Sequence, residues 1–343
     1  MIDPVNTKEQ PSSMMSPEYK YPIAQCDVAP ERRSQLESYR AKRQQWLTWL
    51  DADEHHPLWT TLSSMVWTDV SYRTFRQTVI DHEEKNEPTC LQNTLIAEQI
   101  IKGYVARQVL GIRRLLDKTS GVISLRRLII DLRSNWQLFT RENYVCHDGL
   151  PYDHEAVMTK EMMASAGKGA FWASTTGPDA WATSRMGHEQ FDRLAGIDPG
   201  RRTREDRLPK SLLGTIEGWL DGSGAEELAE WSHAYLAHAG GPDRRKQIDE
   251  GLVTADKISE ATRTLVRATE AVSAYVLFAG GRLNGLVPVA QYDQFEHLNQ
   301  PAVQHGHLGN AADVWDALSR ERDTYAEGVE DELVPMLRSI VRL

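Results

Sequence analysis

Apolar residues along most of this chain recur three or four positions apart, which is the spacing of one face of an α-helix. The pattern predicts helices that begin near residues 30, 58, 94, 124, 208, 225, 254 and 311. Strict alternation of apolar and polar residues, the signature of a half-buried strand, reaches no useful length. We therefore predict an all-α fold, in the form of a helical bundle.

The longest regular block lies between residues 94 and 139. Residues 94–116 carry a broad apolar face, a Lys-Thr-Ser-Gly turn follows, and a second apolar face runs from residue 125 to residue 139. Ser124 precedes this second helix and has a side chain suited to an N-cap. Because the turn is short, we predict that the two helices form a long antiparallel hairpin.

Changes in composition suggest four parts of the chain. Residues 1–29 are polar, contain four prolines and lack periodicity, which predicts a flexible N-terminal arm. Residues 30–142 form a helical domain that contains the hairpin. Residues 143–209 are rich in Gly, Ser, Thr and aromatic residues with weak periodicity, so we expect an irregular insertion or lid with one short helix. Residues 210–343 complete the bundle.

Composition restricts the class of protein. The chain is 41% hydrophobic and 26% charged, with a net charge of −10, which is typical of a globular protein and not of a general nucleic-acid binder. Three distant cysteines without metal spacing favour a reducing cytoplasm. We expect no secretory signal, and the longest apolar run, at residues 271–281, is too short to cross a membrane.

The predicted hairpin departs from the acidic average. Between residues 102 and 141 there are nine Lys or Arg residues and only two acidic ones. One interpretation is a basic stripe that binds the phosphate backbone of a nucleic acid. The other is that these cations pair with acidic segments elsewhere in the fold. The candidate nucleic-acid-binding residues are Arg107, Arg113, Arg114, Lys118, Arg126, Arg127 and Arg133.

The stretch from residue 225 to residue 241 predicts an amphipathic helix that directs a histidine inward. Leu228, Trp231, Tyr235 and His238 lie on one helical stripe, and two glycines and a proline end the helix directly after it. The imidazole of His238 is then either a buried group bonded to a carbonyl or a catalytic group.

Sequence motifs for nucleotide-, zinc- and serine-dependent enzymes are missing from the chain. His233 and His238 are five residues apart, which places them about 140° apart on a helix and argues against a shared metal ion. His147 and His154 lack a convincing third ligand, so we expect neither a metal nor another cofactor. Arginine and histidine suffice for metal-independent RNA cleavage, and Arg76 precedes His82 at a suitable spacing.

Three segments carry a family resemblance: residues 104–133, 230–241 and 280–298. In their order and pattern they resemble the HEPN superfamily, and within it the bacterial abortive-infection proteins of AbiU type. The resemblance implies a helical bundle, often dimeric. It also implies a metal-independent ribonuclease of defence or toxin systems, with a motif of arginine, a polar residue, three to five further residues and histidine.

On this resemblance His238 is the catalytic histidine, and Ser232 or His233 takes the polar position. The chain departs from the motif, because no arginine stands at the expected place before His238. The phosphate-stabilising role would then pass to His233 or to Arg113 and Arg114.

Two functional hypotheses follow. The first is a metal-independent ribonuclease of defence or toxin type, acting on RNA as a homodimer or with a protein partner. The second is a non-catalytic helical module that binds a nucleic acid or a protein complex through the basic hairpin and the insertion. A purely structural role is a third interpretation.

Overall fold

The computed structural model confirms the all-α prediction. Within the residues it describes, the only extended pairing is an isolated bridge between Thr140 and Arg207. The described residues are 19–83, 85, 91, 94–166, 174–237, 248, 250–281, 285–287, 289–290, 294–296 and 308–333.

The described residues form the following helices, numbered in chain order. They are α1 (Arg33–Leu47), α2 (Leu58–Glu83), α3 (Thr94–Leu115), α4 (Leu125–Ser134), α5 (Arg141–Cys146), α6 (His154–Ser165), α7 (Trp181–Ala195), α8 (Ser211–Gly222), α9 (Ala225–Ser232), α10 (Ala255–Glu270), α11 (Leu308–Asp323) and α12 (Val329–Leu333). Short π-helical turns extend α1, α9 and α10 at Thr48–Ala52, His233–Ala237 and Ala271–Val276.

Side-chain caps explain where several helices begin. The hydroxyl of Ser124 accepts a hydrogen bond from the Arg127 amide, which confirms the predicted N-cap of α4. Thr140, Asp153 and Thr254 cap α5, α6 and α10 in the same way. The α7 helix ends at Gly196, whose φ of 65° is left-handed and favours glycine.

The α3 helix lies at the centre of the bundle. It packs mainly against α9 and α2, and also against α10, while α2 packs against α11. The α4 helix is not among the main packing partners of α3, so the predicted hairpin is not a principal contact of the bundle. The core that the helices enclose includes the buried side chains of Trp46, Trp59, Phe139 and Trp315.

The segment predicted as an irregular insertion is more regular than its sequence pattern suggests. It contains α6 and α7, and α7 packs against α5 and α6. The buried face of α7 includes Ser184, His188, Gln190 and Asp192 beside Phe191. Because many of the inward positions are polar, the apolar periodicity that identifies a helix is weak there.

The described part of the predicted flexible arm, residues 19–29, is docked on the protein. The Tyr21 amide donates a hydrogen bond to Oδ1 of Asp148 at 3.1 Å. The ring of Tyr21 lies against Gly149 and Gly177, both with left-handed φ, and a Cβ at either position would overlap this ring. Cys26 and Val28 are buried. The remainder of the arm, residues 1–18, lies outside the described residues.

A search of the described helices finds none with both the length and the apolar character needed to cross a membrane.

Candidate functional site: a buried arginine–histidine cluster

Two of the residues predicted to be catalytic, Ser232 and His233, lie at the end of α9. His238 is outside the described residues. The Ser232 side chain is completely buried, and its hydroxyl has no hydrogen-bond partner among the described residues. His233 is half-buried and begins the π-helical turn. Trp231 and Tyr235 stack with ring centroids 5.1 Å apart, as expected for residues on one helical stripe.

The predicted basic residues divide into two groups. Around α4 they pair with carboxylates of α8 and α9: Arg126 with Asp221 and Glu226, Lys118 with Glu226, and Arg133 with Glu217. These ion pairs bring Lys118 and Arg126 together on one glutamate and neutralise this half of the stripe.

On α3 the situation differs. Arg107 and Arg114 are exposed, and Arg113 is half-buried, as is Arg127 at the start of α4. The Nη2 of Arg107 donates to the Ser64 hydroxyl at 2.8 Å. Arg107 and Arg114 are therefore more accessible to a nucleic acid than the paired cations around α4.

A cluster of buried charged residues surrounds the short helix α5. All six residues of α5 are buried. Its first amides donate to the loop that precedes α8: Arg141 N to the Asp206 carbonyl at 2.8 Å, and Glu142 N to the Arg204 carbonyl at 3.2 Å. The loop thus satisfies two of the amide groups that every helix leaves unpaired at its start.

Arg141 is at the centre of this cluster and is completely buried. Its Nη1 lies 2.7 Å from Oδ1 of Asp192, and its Nε lies 2.8 Å from Oδ2 of Asp206. Arg202 binds the other oxygen of Asp192, with Nε at 2.8 Å. The guanidinium of Arg141 also stacks on the Phe191 ring at 4.5 Å. Two arginines thus compensate two carboxylates, which is the condition for retaining charge in a protein interior.

The pKa of Asp206 reflects this arrangement. Burial alone raises the pKa of its carboxyl group, but hydrogen bonds from Thr203 and from Arg141 outweigh burial, so the pKa is lowered overall.

One histidine adjoins Arg141, and a second lies beside it next to Arg202. His188 lies with Nε2 3.0 Å from the Tyr152 carbonyl and Nδ1 3.4 Å from Nη1 of Arg141. A carbonyl only accepts and a guanidinium only donates, so His188 is neutral with its proton on Nε2. Burial, reinforced by the charge of Arg141, lowers the pKa of His188 to about 4. The His154 ring lies 5.4 Å away, and burial and the nearby Arg202 lower its pKa as well.

The C-terminal end of α5 leads to a third imidazole. His147 is buried, its Nδ1 lies 3.0 Å from the Tyr144 carbonyl, and its ring contacts Tyr19 and Tyr39 edge-on. Burial, with the charges of Arg43 and Arg40, lowers the pKa of His147 well below its usual value.

Glu142 connects α5 to the N-terminal arm. Its Oε1 accepts from Nη1 of Arg204 at 2.7 Å and from the Ala29 amide at 3.2 Å. Arg204 also binds Asp27 at 2.8 Å and lies over the Tyr152 ring. The arm and the loop before α8 therefore cover α5 together.

The sequence analysis missed a motif that begins at the first residue of α5 and ends directly after this helix. Arg141 is followed by the polar residue Glu142, by four further residues and by His147. This is the arrangement that the HEPN resemblance implies, and it has the same spacing as Arg76 and His82. The spacing is visible in the sequence, but the predicted domain boundary at residue 142 falls between Arg141 and His147, so the two were not considered together.

Metal ligands are not assembled in this part of the molecule. The described residues contain no group of three or more His, Cys, Asp or Glu side chains that could hold a metal ion. His154 has Arg202 as a neighbour, with Nη1 3.5 Å from its Nε2, and a cation at that position disfavours metal binding.

Comparison with protein-family models found no match, and comparisons with curated proteins and with solved structures found none either. The contacts of the described residues and the pattern of the sequence are therefore the basis for a functional assignment.

Proposed function

We propose that this chain is a HEPN-like protein of bacterial defence or toxin type, and a metal-independent ribonuclease whose catalytic pair is Arg141 and His147. One observation carries the proposal: the arginine–polar–histidine spacing begins at Arg141, in the buried charged cluster, and ends at His147, the buried residue directly after α5. The pair replaces the residues of α9 as the favoured centre, because α9 lacks the arginine.

The chemistry needs only these groups. A neutral imidazole accepts the proton of the 2′-hydroxyl group as its oxygen attacks the phosphorus, and a guanidinium stabilises the negative charge of the pentacoordinate phosphorus. The bond from phosphorus to the 5′-oxygen then breaks to leave a 2′,3′-cyclic phosphate, and the leaving oxygen takes the proton from the imidazolium. The lowered pKa of His147 keeps its imidazole neutral at physiological pH. In the described state both side chains are buried, so RNA reaches them only when residues 19–32 and the loop of residues 199–208 move away from α5.

A second candidate function is favoured by the same contacts. Arg141 binds Asp192 and Asp206, which leaves its guanidinium committed to the fold. A protein in which the motif is used only for stability would be the non-catalytic module, and it would bind nucleic acid through exposed residues of α3 such as Arg107 and Arg114.

The proposal includes the remaining expectations from the sequence: RNA as substrate, a homodimer or a protein partner, and a cytoplasmic location. Cys26 and Cys146 are buried free thiols, and burial raises the pKa of both. Buried unpaired thiols are ordinary in a reducing compartment.

The test compares RNA cleavage in EDTA by the wild type, His147→Asn and His56→Asn. His56 is an exposed histidine outside the cluster and serves as the matched control. Labelled total RNA and tRNA are resolved on gels, and circular dichroism with thermal unfolding checks that each variant is folded.

We expect cleavage by the wild type and by His56→Asn, and at least a hundredfold loss in folded His147→Asn, the usual order for a lost general base. Equal cleavage by all three proteins would place the centre elsewhere, with His238 the next residue to substitute. Absence of cleavage by any of them, together with a shift in RNA mobility, would favour the binding module.

A further inference from the structure

A cleft of about 520 Å³ lies between α2 and α3, separate from the α5 cluster. Its lining combines aromatic residues, among them Trp67, Tyr72, Phe75 and the buried Tyr104, with polar side chains, Gly103 and Arg107. This volume is within the range of small-molecule sites. An added Cβ at Gly103 would meet no atom within 4 Å, so this side of the cleft is open.

The aromatic walls are held in fixed positions. Tyr72 and Tyr104 stack with ring centroids 3.9 Å apart and planes inclined by 8°. The hydroxyl of Tyr104 donates to Oδ1 of Asp69 at 2.5 Å, and Asp69 in turn binds Arg73 and Arg322. A planar ligand therefore meets surfaces that need little reorganisation on binding.

Trp67 adds an accessible ring to the same wall. Its ring contacts Trp315 with centroids 4.9 Å apart, yet 40% of the residue is exposed. An exposed indole face offers a large apolar surface on which a planar ligand can stack.

Arg107 supplies the positive charge of the cleft. It is exposed, and apart from the bond to Ser64 it has no carboxylate partner within the described part of the chain. Arg126 and Arg133 of the same predicted stripe are, by contrast, paired with Asp221 and Glu217. The remaining donors of the Arg107 guanidinium are suited to a phosphate group.

We infer that this cleft binds a nucleobase that carries a phosphate group, with the base against the aromatic wall and the phosphate on Arg107. The ligand is either a free mononucleotide or one unit of a single-stranded RNA, since both present the same chemistry to stacked rings and a guanidinium. The inference does not depend on catalysis at α5, because the cleft shares no residue with that cluster.

The experiment measures two affinities, that of AMP by calorimetry and that of a labelled ten-nucleotide oligoadenylate by fluorescence anisotropy. Gly103→Leu places a side chain in the cleft and replaces a helical glycine by a better helix former, so it is expected to fold at least as well as the wild type. The matched control is Gly214→Leu, at an exposed glycine of α8 where an added Cβ would likewise meet no atom within 4 Å. Arg107→Gln removes the charge, with Arg320→Gln on α11 as its control.

We expect Gly103→Leu to abolish measurable binding and Arg107→Gln to weaken it about tenfold, while both controls bind like the wild type. Binding of AMP and of the oligonucleotide indicates a nucleotide site, and binding of the oligonucleotide alone indicates an RNA unit. The inference is overturned if the wild type binds neither at millimolar concentration, or if Gly103→Leu binds as the wild type does. It is also overturned if Gly103→Leu changes only the oligomeric state, since the cleft would then be a protein interface.

Discussion

Two of the ion networks among the described residues differ in the sign of the charge at their centre. In the α5 network one arginine, Arg141, lies between two carboxylates, Asp192 and Asp206. In the network of α2 and α11, one carboxylate, Asp69, lies between two arginines, Arg73 and Arg322. Further hydrogen bonds support both networks, although Nη2 of Arg141 and Nε of Arg322 have no hydrogen-bond partner among the described residues.

The difference between them is the type of neutral group that completes each network. The α2 network uses the hydroxyl of Tyr104, whose pKa is raised by burial and by Asp69. The α5 network uses the imidazole of His188, which gains a proton in the folded protein only near its lowered pKa of about 4. The α2 network is completed without a histidine, so an imidazole is not needed to stabilise buried charges. The α5 network adds an imidazole that can titrate, and groups with perturbed pKa values of this kind are frequent at functional sites.

The largest effect is expected from Arg141→Met. This change disturbs two carboxylates at once: Asp192 keeps only Arg202 and Asp206 keeps only Thr203, and we expect a loss of about 3–5 kcal/mol in the free energy of unfolding. Arg322→Met leaves a single carboxylate, which keeps Arg73 at 3.1 Å, so its loss is expected to be smaller. Denaturant unfolding of both variants measures the difference. Equal losses would show that the two networks are energetically equivalent.

The next effect concerns pH. The folded-state pKa of His188 is about 4, below the usual value of 6.5, so the folded state binds the proton less well than the unfolded chain. The stabilisation is complete above pH 6.5 and is lost as the pH falls towards 4 and through it. Between pH 7 and pH 4.5 we expect a loss of roughly 2–3 kcal/mol from this residue.

His188→Gln checks the assignment, with unfolding measured at both pH values. The variant should show a smaller pH dependence than the wild type, although the lowered pKa values of His147 and His154 leave part of it in place. His56→Asn, at an exposed site, should retain the wild-type dependence. A wild-type slope in His188→Gln would mean that the α5 network does not sense pH through this imidazole.

The sequence predicted the parts of the fold that follow from local rules. The helical class, the Ser124 cap and the helix at residues 225–237 are all determined by side chains within a few positions of one another. By contrast, α7 was predicted only in part, because its inward face carries His188 and Asp192 where an apolar residue would be recognised.

The candidate site was less accessible to sequence reasoning. The pairs between Arg126 and Asp221 and between Arg133 and Glu217 join residues 95 and 84 positions apart, and no local pattern predicts such partners. The spacing of Arg141 and His147 is visible in the sequence, but it occurs elsewhere too, at Arg76 and His82. Only the folded contacts distinguish Arg141 as the centre of a charged cluster.

A smaller effect tests how the N-terminal arm, docked through Tyr21, covers the α5 network. Gly177 and Gly121 both have left-handed φ, at 83° and 85°, but only Gly177 lies against another residue, the ring of Tyr21. Gly121→Ala should cost about 1 kcal/mol from backbone strain alone. Gly177→Ala should cost about 1–2 kcal/mol more, because the methyl group displaces the docked arm. Similar thermal stabilities of the two variants would show that the contact of Tyr21 with Gly177 contributes little to holding the arm in place.

The smallest effect is expected at the surface, where Arg133 and Glu217 form an exposed pair that contrasts with both buried networks. Water already solvates the Arg133 side chain, which is 55% exposed, so Arg133→Ala should change the free energy of unfolding by less than about 1 kcal/mol. Arg126→Ala should cost more, since this side chain is 8% exposed and binds both Asp221 and Glu226. Urea unfolding at low and at high salt separates them, because salt screens the exposed pair more than the buried one. If both substitutions had the same small cost at both salt concentrations, burial would not be what distinguishes these two ion pairs in strength.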